Sequence, residues 1–103
     1  MLPIELRSPK EVAHDLADRV RSLRLERQWT QQEMAQRAGV TLATYRRFEI
    51  SGLISLERLL KIALVLDALH QFEDLFRLPP PTTLSDLDKG RARSRGKRRD
   101  AKT

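Results

Sequence analysis

The chain has 103 residues, 40% of them hydrophobic but only 5% aromatic, so it can build one compact core and must build it from Leu, Ile, Val and Ala. It contains no cysteine, which excludes disulfides and thiolate metal sites and suits a reducing compartment. The net charge of +6 sits at the C-terminal end: residues 88–103 hold eight Lys/Arg against two Asp, whereas residues 1–87 hold twelve of each sign. The high isoelectric point therefore describes a cationic arm and is no argument that the folded part binds nucleic acid. The longest apolar run, Ile62 to Leu66, is too short to span a bilayer. The N-terminal M-L-P-I-E-L lacks a signal-peptide core, so a cytoplasmic location is expected.

Residues 1–7 form an apolar–acidic arm in which Leu2, Ile4 and Leu6 alternate. The alternation allows a brief strand pairing across a dimer; the alternative is a frayed terminus. A domain over 8–78 follows. Ser8-Pro9-Lys10-Glu11 opens a first helix with an N-cap, a proline at N1 and a capping box. Val12, Leu16, Val20 and Leu23 make its buried stripe, and it ends near Gln28.

Thr30 and Glu33 make a second capping box, with Trp29 and Met34 placed for a hydrophobic staple. That helix runs from Gln31 to about Ala38 and stops at Gly39. Thr41 caps the next helix, with Val40 and Tyr45 in staple positions. Two short helices joined by a tight glycine turn are the helix-turn-helix unit. Met34, Ala35, Ala38, Val40, Tyr45 and Phe48 are expected inside. The Tyr45 hydroxyl is expected at the domain edge or on a phosphate.

Ser51-Gly52 turns the chain and Ser55 caps a fourth helix. Leu56, Leu59, Leu60 and Ala63 are read as its inner stripe. Ile62, Val65 and Leu69 are read as a second face, the expected homodimer interface, because a surface helix needs only one apolar stripe. A fifth helix is expected over about Gln71 to Phe76. Leu78-Pro79-Pro80-Pro81 then ends helical structure, residues 79–87 make a proline-rich exit, and residues 88–103 read as a disordered basic tail.

The stretch from Arg24 to Leu66 resembles the Cro/C1-type repressors with the lambda-repressor-like fold. The matching residues are Arg24, T-Q-Q-E-M-A at Thr30 to Ala35, Ala38-Gly39-Val40-Thr41, Phe48-Glu49 and Leu59-Leu60-Lys61-Ile62-Ala63. The wider chain resembles the HipB-like antitoxins encoded with HipA-like kinases, through Y-R-R-F-E-I-S-G-L-I-S-L-E-R-L-L-K-I-A, F-E-D-L-F at Phe72, the P-P-P run and the basic end. The resemblance implies an all-α, five-helix bundle and a dimeric repressor of its own operon that restrains a HipA-like kinase. It also implies a structural ion pair between Arg24 and Glu49, and a phosphate contact by Gln31. A buried pair would cost about 3 kcal/mol to break, an exposed one under about 1 kcal/mol.

DNA reading needs donors on the recognition helix and phosphate anchors around it. Thr41, Leu42, Ala43, Thr44, Arg46 and Arg47 present its outer face. Leu42 and Ala43 suit a thymine methyl, Arg47 a bidentate contact to guanine, and Arg46 a phosphate or flanking base. The alternative for two adjacent arginines is a solvated face. The family's basic loop after this helix is here the apolar I-S-G-L-I, and the neutral domain neutralises few phosphates. Both put weight on the tail. Two copies would set two recognition helices in successive major grooves of a palindromic operator.

Catalysis has little support. His14 and His70 read as structural or solvated, no nucleophile triad or phosphate loop is present, and no metal or cofactor is expected. The rival reading is a protein-interaction module that kept the fold and docks through Leu42, Ala43, Leu53 and Ile54.

Overall fold

The computed structural model describes residues 2–81; the expected Thr82–Leu87 turn and the basic tail lie outside the described residues. The chain divides into two units, Met1–Glu73 and Asp74–Thr103. The first holds α1 (Pro9–Glu26), α2 (Gln31–Ala38), α3 (Leu42–Ser51) and α4 (Leu56–Val65), with single 3-10 turns at Ile4–Leu6 and Leu69–Phe72. No strand occurs among the described residues. In the second unit, Asp74 to Phe76 form a turn with Phe76 in the left-handed region, and Pro79 to Pro81 have no regular structure.

Each helix starts where a side chain replaces a missing backbone acceptor. Ser8 accepts from the Glu11 N–H and Thr30 from the Glu33 N–H, each with the glutamate returning to the cap N–H. Thr41 and Ser55 accept from the N–H groups of Thr44 and Arg58. Three helices end the same way. A residue in the left-handed region (Gln28, Gly39 or Asp67) lets the next N–H reach back to a carbonyl five residues earlier: Trp29 to Arg24, Val40 to Ala35, Ala68 to Ala63.

α1 packs on α3, and α2 packs on both α3 and α4. Between them lies a core of Ala17, Val20, Met34, Ala35, Ala38, Tyr45, Phe48, Ile62 and Leu66, with Leu23, Trp29, Val40, Ile54, Leu59 and Val65 packed against it. Gly52 marks a close approach of the end of α3 to Ala13 of α1. Its φ is +75°, and a Cβ there would sit 2.8 Å from the Ala13 carbonyl carbon. Gly39, at φ +71°, has nothing within 4 Å of such a Cβ. Gly39→Ala should therefore cost about 1 kcal/mol, the left-handed penalty alone. Gly52→Ala should cost about 3 kcal/mol, because α1 and α3 must also part. Chemical denaturation of the two variants checks the order; equal losses would mean that the α1–α3 contact yields freely.

Three expectations change. The arm is a 3-10 turn rather than a strand, because Arg7 folds it back: Nε donates to the Leu2 carbonyl at 2.9 Å and Nη1 pairs with Asp15 at 2.5 Å. The expected helix over Gln71–Phe76 is replaced by one 3-10 turn at Leu69–Phe72 that has no side-chain cap and gives way to a turn. Finally, α4 is rotated from its expected setting. Leu59, Ile62, Ala63 and Leu66 face inward, and Ile62 is 0% exposed, so it cannot reach a partner. Leu56 and Leu64 face outward at 67% and 62% exposure.

Candidate nucleic-acid interface

α3 starts at the Thr41 cap and turns one face inward through Tyr45, Phe48 and Glu49. Burial of those three directs the rest of the helix outward. Ala43, Arg46 and Arg47 are exposed, and Leu42 and Thr44 are half-buried at its rim. The Thr41 hydroxyl accepts from the Thr44 N–H at 3.1 Å and donates to the Thr44 hydroxyl at 2.8 Å.

Under this face lies a buried ionic cluster. Arg24 from α1 forks onto Glu49 from α3, with Nε to Oε2 at 2.7 Å and Nη2 to Oε1 at 3.1 Å. The two side chains are 8% and 4% exposed, so the pair is the buried alternative of the two considered. Arg24 Nη1 donates to the Trp29 carbonyl at 2.9 Å and so also holds the α1–α2 joint. Tyr45 is fully buried and its hydroxyl donates to Glu49 Oε2. This replaces the edge or phosphate position expected for that hydroxyl. The signal was available, since Tyr45 and Glu49 are one helical turn apart.

The cluster sets the ionisation of its members. Burial pushes the Glu49 carboxyl up, but hydrogen bonds from Arg24, Tyr45 and Gln31 outweigh it and hold the group below the usual carboxylate range. Burial and the Glu49 carboxylate both push the Tyr45 phenol well above its ordinary value. The bond to Glu49 raises Arg24 further. No buried side-chain nitrogen or oxygen among the described residues lacks a partner.

Gln31, the first residue of α2, joins this cluster to the outer face. Its Nε2 donates to Glu49 Oε1 at 3.0 Å, and its Oε1 accepts from Arg46 Nε at 3.2 Å. The fold thus brings Gln31, Arg46 and the ion pair together, with Thr41 and Thr44 paired at the start of the same helix. Sequence reasoning missed the Gln31 links, which join residues far apart in the chain. It also missed Arg21, an exposed arginine whose Nε lies 4.0 Å from Glu49 Oε1.

Residues 20–70 match the family model described as Helix-turn-helix. This stretch is a helix-turn-helix domain. The match runs from Val20 in α1 to His70 after α4 and supports the Cro/C1 type, a family of DNA-binding transcription regulators. α2 and α3 are the two helices of its namesake unit. No curated protein matches the chain. Among the described residues no helix is long and apolar enough to cross a membrane.

Proposed function

We propose that the chain is a cytoplasmic, sequence-specific transcriptional repressor whose α3 reads the major groove of a palindromic operator. The observation that carries this reading is the outward face of α3 in a helix-turn-helix domain, where Arg46 and Arg47 are exposed and Gln31 of α2 is bonded to Arg46. Gln31 anchors a phosphate, Thr41 and Thr44 contact phosphates or base edges, Leu42 and Ala43 meet thymine methyls, Arg47 reaches guanine, and Arg46 reaches a phosphate or a flanking base. The resemblance to HipB-like antitoxins extends the proposal to an operon that the chain autoregulates and to a HipA-like kinase that it restrains. Co-purification with a kinase encoded beside it tests that part.

The reading requires a homodimer, since a palindrome presents two half-sites. Ile62 is unavailable, and Val65 packs on the core. The exposed apolar row on α4 is Leu56 and Leu64, with half-buried Leu60 between them at four-residue spacing and Leu69 40% exposed beyond. Placed at the dimer centre, Leu64→Glu should weaken self-association roughly tenfold or more while leaving the monomer's melting temperature in place. Sedimentation equilibrium gives the answer: an unchanged dimer would move the interface elsewhere.

The deciding experiment is a gel shift on DNA upstream of the protein's own coding region, with excess random competitor, using the full chain and a chain ending at Leu87. A competitor-resistant complex with both makes the domain the reader. Binding that competitor removes, and that vanishes with the tail, sinks the repressor reading. The rival is then an interaction module, favoured by exposed Leu53, Leu56 and Leu64. Ile54, half-buried against the core, drops out of that patch.

A further inference from the structure

We propose that Gln31 is a positioning residue for DNA recognition: the buried Glu49 carboxylate locks its amide, and the amide carbonyl in turn fixes the Arg46 guanidinium before DNA arrives. The inference rests on the DNA-binding reading above. It concerns how the two arginines of α3 divide their work.

The amide has only one orientation that satisfies both neighbours. A carboxylate only accepts, so the group facing Glu49 Oε1 at 3.0 Å must be the Gln31 NH2. A guanidinium only donates, so the group facing Arg46 Nε at 3.2 Å must be the Gln31 carbonyl oxygen. A flipped amide would set oxygen against oxygen on one side and N–H against N–H on the other. Glu49 cannot turn to accommodate it. Arg24 holds both of its oxygens and Tyr45 holds Oε2 as well.

The consequence falls on Arg46. This side chain is exposed, and an exposed arginine ordinarily loses its rotamer freedom only on binding. Here Nε is already bonded, which leaves Nη1 and Nη2 as the donors of a fork for guanine or phosphate. The neighbouring Arg47 side chain makes no hydrogen bond or ion pair among the described residues. Arg46 is thus set in advance by α2, and Arg47 is ordered by the DNA itself.

A double-mutant cycle in the full-length chain separates positioning from direct contact. Wild type, Gln31→Met, Arg46→Ala and the double variant are titrated against the upstream DNA fragment. Gln31→Met should lower affinity about tenfold in the wild-type background and only about twofold in the Arg46→Ala background, a coupling of the size seen for residues in one network. In the DNA-free protein, the Arg46 Nε–H should give a water-protected NMR signal that exchanges rapidly in Gln31→Met. Equal losses in the two backgrounds, or an unchanged Nε–H signal, overturn the positioning role while DNA binding stands. A wild-type chain with no specific complex fails at an earlier step and removes the DNA reading together with this proposal.

Discussion

Replacing Glu49 by Ala should destabilise the domain by about 4 kcal/mol, the largest single-residue loss expected among the polar groups of this chain. The cost arises less from the lost attraction than from what is left behind. Arg24 would keep a full charge at 8% side-chain exposure, left with the Trp29 carbonyl and the neighbouring Tyr45 hydroxyl as neutral partners. The Tyr45 hydroxyl and the Gln31 amide would lose their acceptor together. A domain of this size is stable by only about 5–10 kcal/mol, so the variant should melt close to ambient temperature. Replacing Arg24 and Glu49 together by Met should cost less than Glu49→Ala alone, because no buried charge is then orphaned. If the double variant were the worse of the two, the net attraction of the pair would outweigh its desolvation.

The same cluster shapes stability against pH. The Glu49 pKa is depressed on folding, so its contribution is complete above the unfolded carboxyl's value of about 4.3 and disappears as pH falls through the lower folded value. The Tyr45 pKa is raised on folding, so its contribution is complete below the unfolded phenol's value of about 10 and disappears as pH rises through the higher folded value. Stability should therefore be flat between those limits as far as this cluster decides it. Glu49→Gln should flatten the acid limb, and Tyr45→Phe the alkaline limb. Tyr45 is the only tyrosine, so the ultraviolet change on forming tyrosinate reports it alone. A transition near 10 in the folded protein would mean the hydroxyl is not where burial places it.

What could be read in the sequence was local. Caps at Ser8, Thr30, Thr41 and Ser55 lie within three residues of the groups they satisfy, so all four helix starts were legible. The Arg24–Glu49 pair was legible only through the family resemblance, since 25 residues separate its members. The rotation of α4 was not legible. Seven of the ten positions from Leu56 to Val65 are apolar, so two stripes fit the same segment, and packing against α2 chose the one through Ile62. The arm misled for a related reason. Alternating Leu2, Ile4 and Leu6 favours a strand only if a partner strand exists, and Arg7 binding Asp15 supplied a different anchor.

The second large effect is expected on DNA. Arg47→Ala should lower affinity for the specific site about tenfold to a hundredfold and relax the preference at one base pair, the loss of a bidentate contact to guanine. Affinity for random DNA should change little, since residues 1–87 carry no net charge and most counter-ion release must come from residues 88–103. A chain ending at Leu87 should show the reverse pattern. Its affinity should fall for specific and random DNA alike, its dependence on salt should flatten by roughly 0.9 in slope for each phosphate no longer neutralised, and its ratio of specific to random binding should persist. The two variants thus divide the energy between reader and anchor. A specificity ratio that collapses with the tail but survives Arg47→Ala would place sequence reading in the basic end and leave α3 as scaffold. Anisotropy titrations of both variants at three salt concentrations, on the upstream fragment and on a scrambled copy, distinguish the cases.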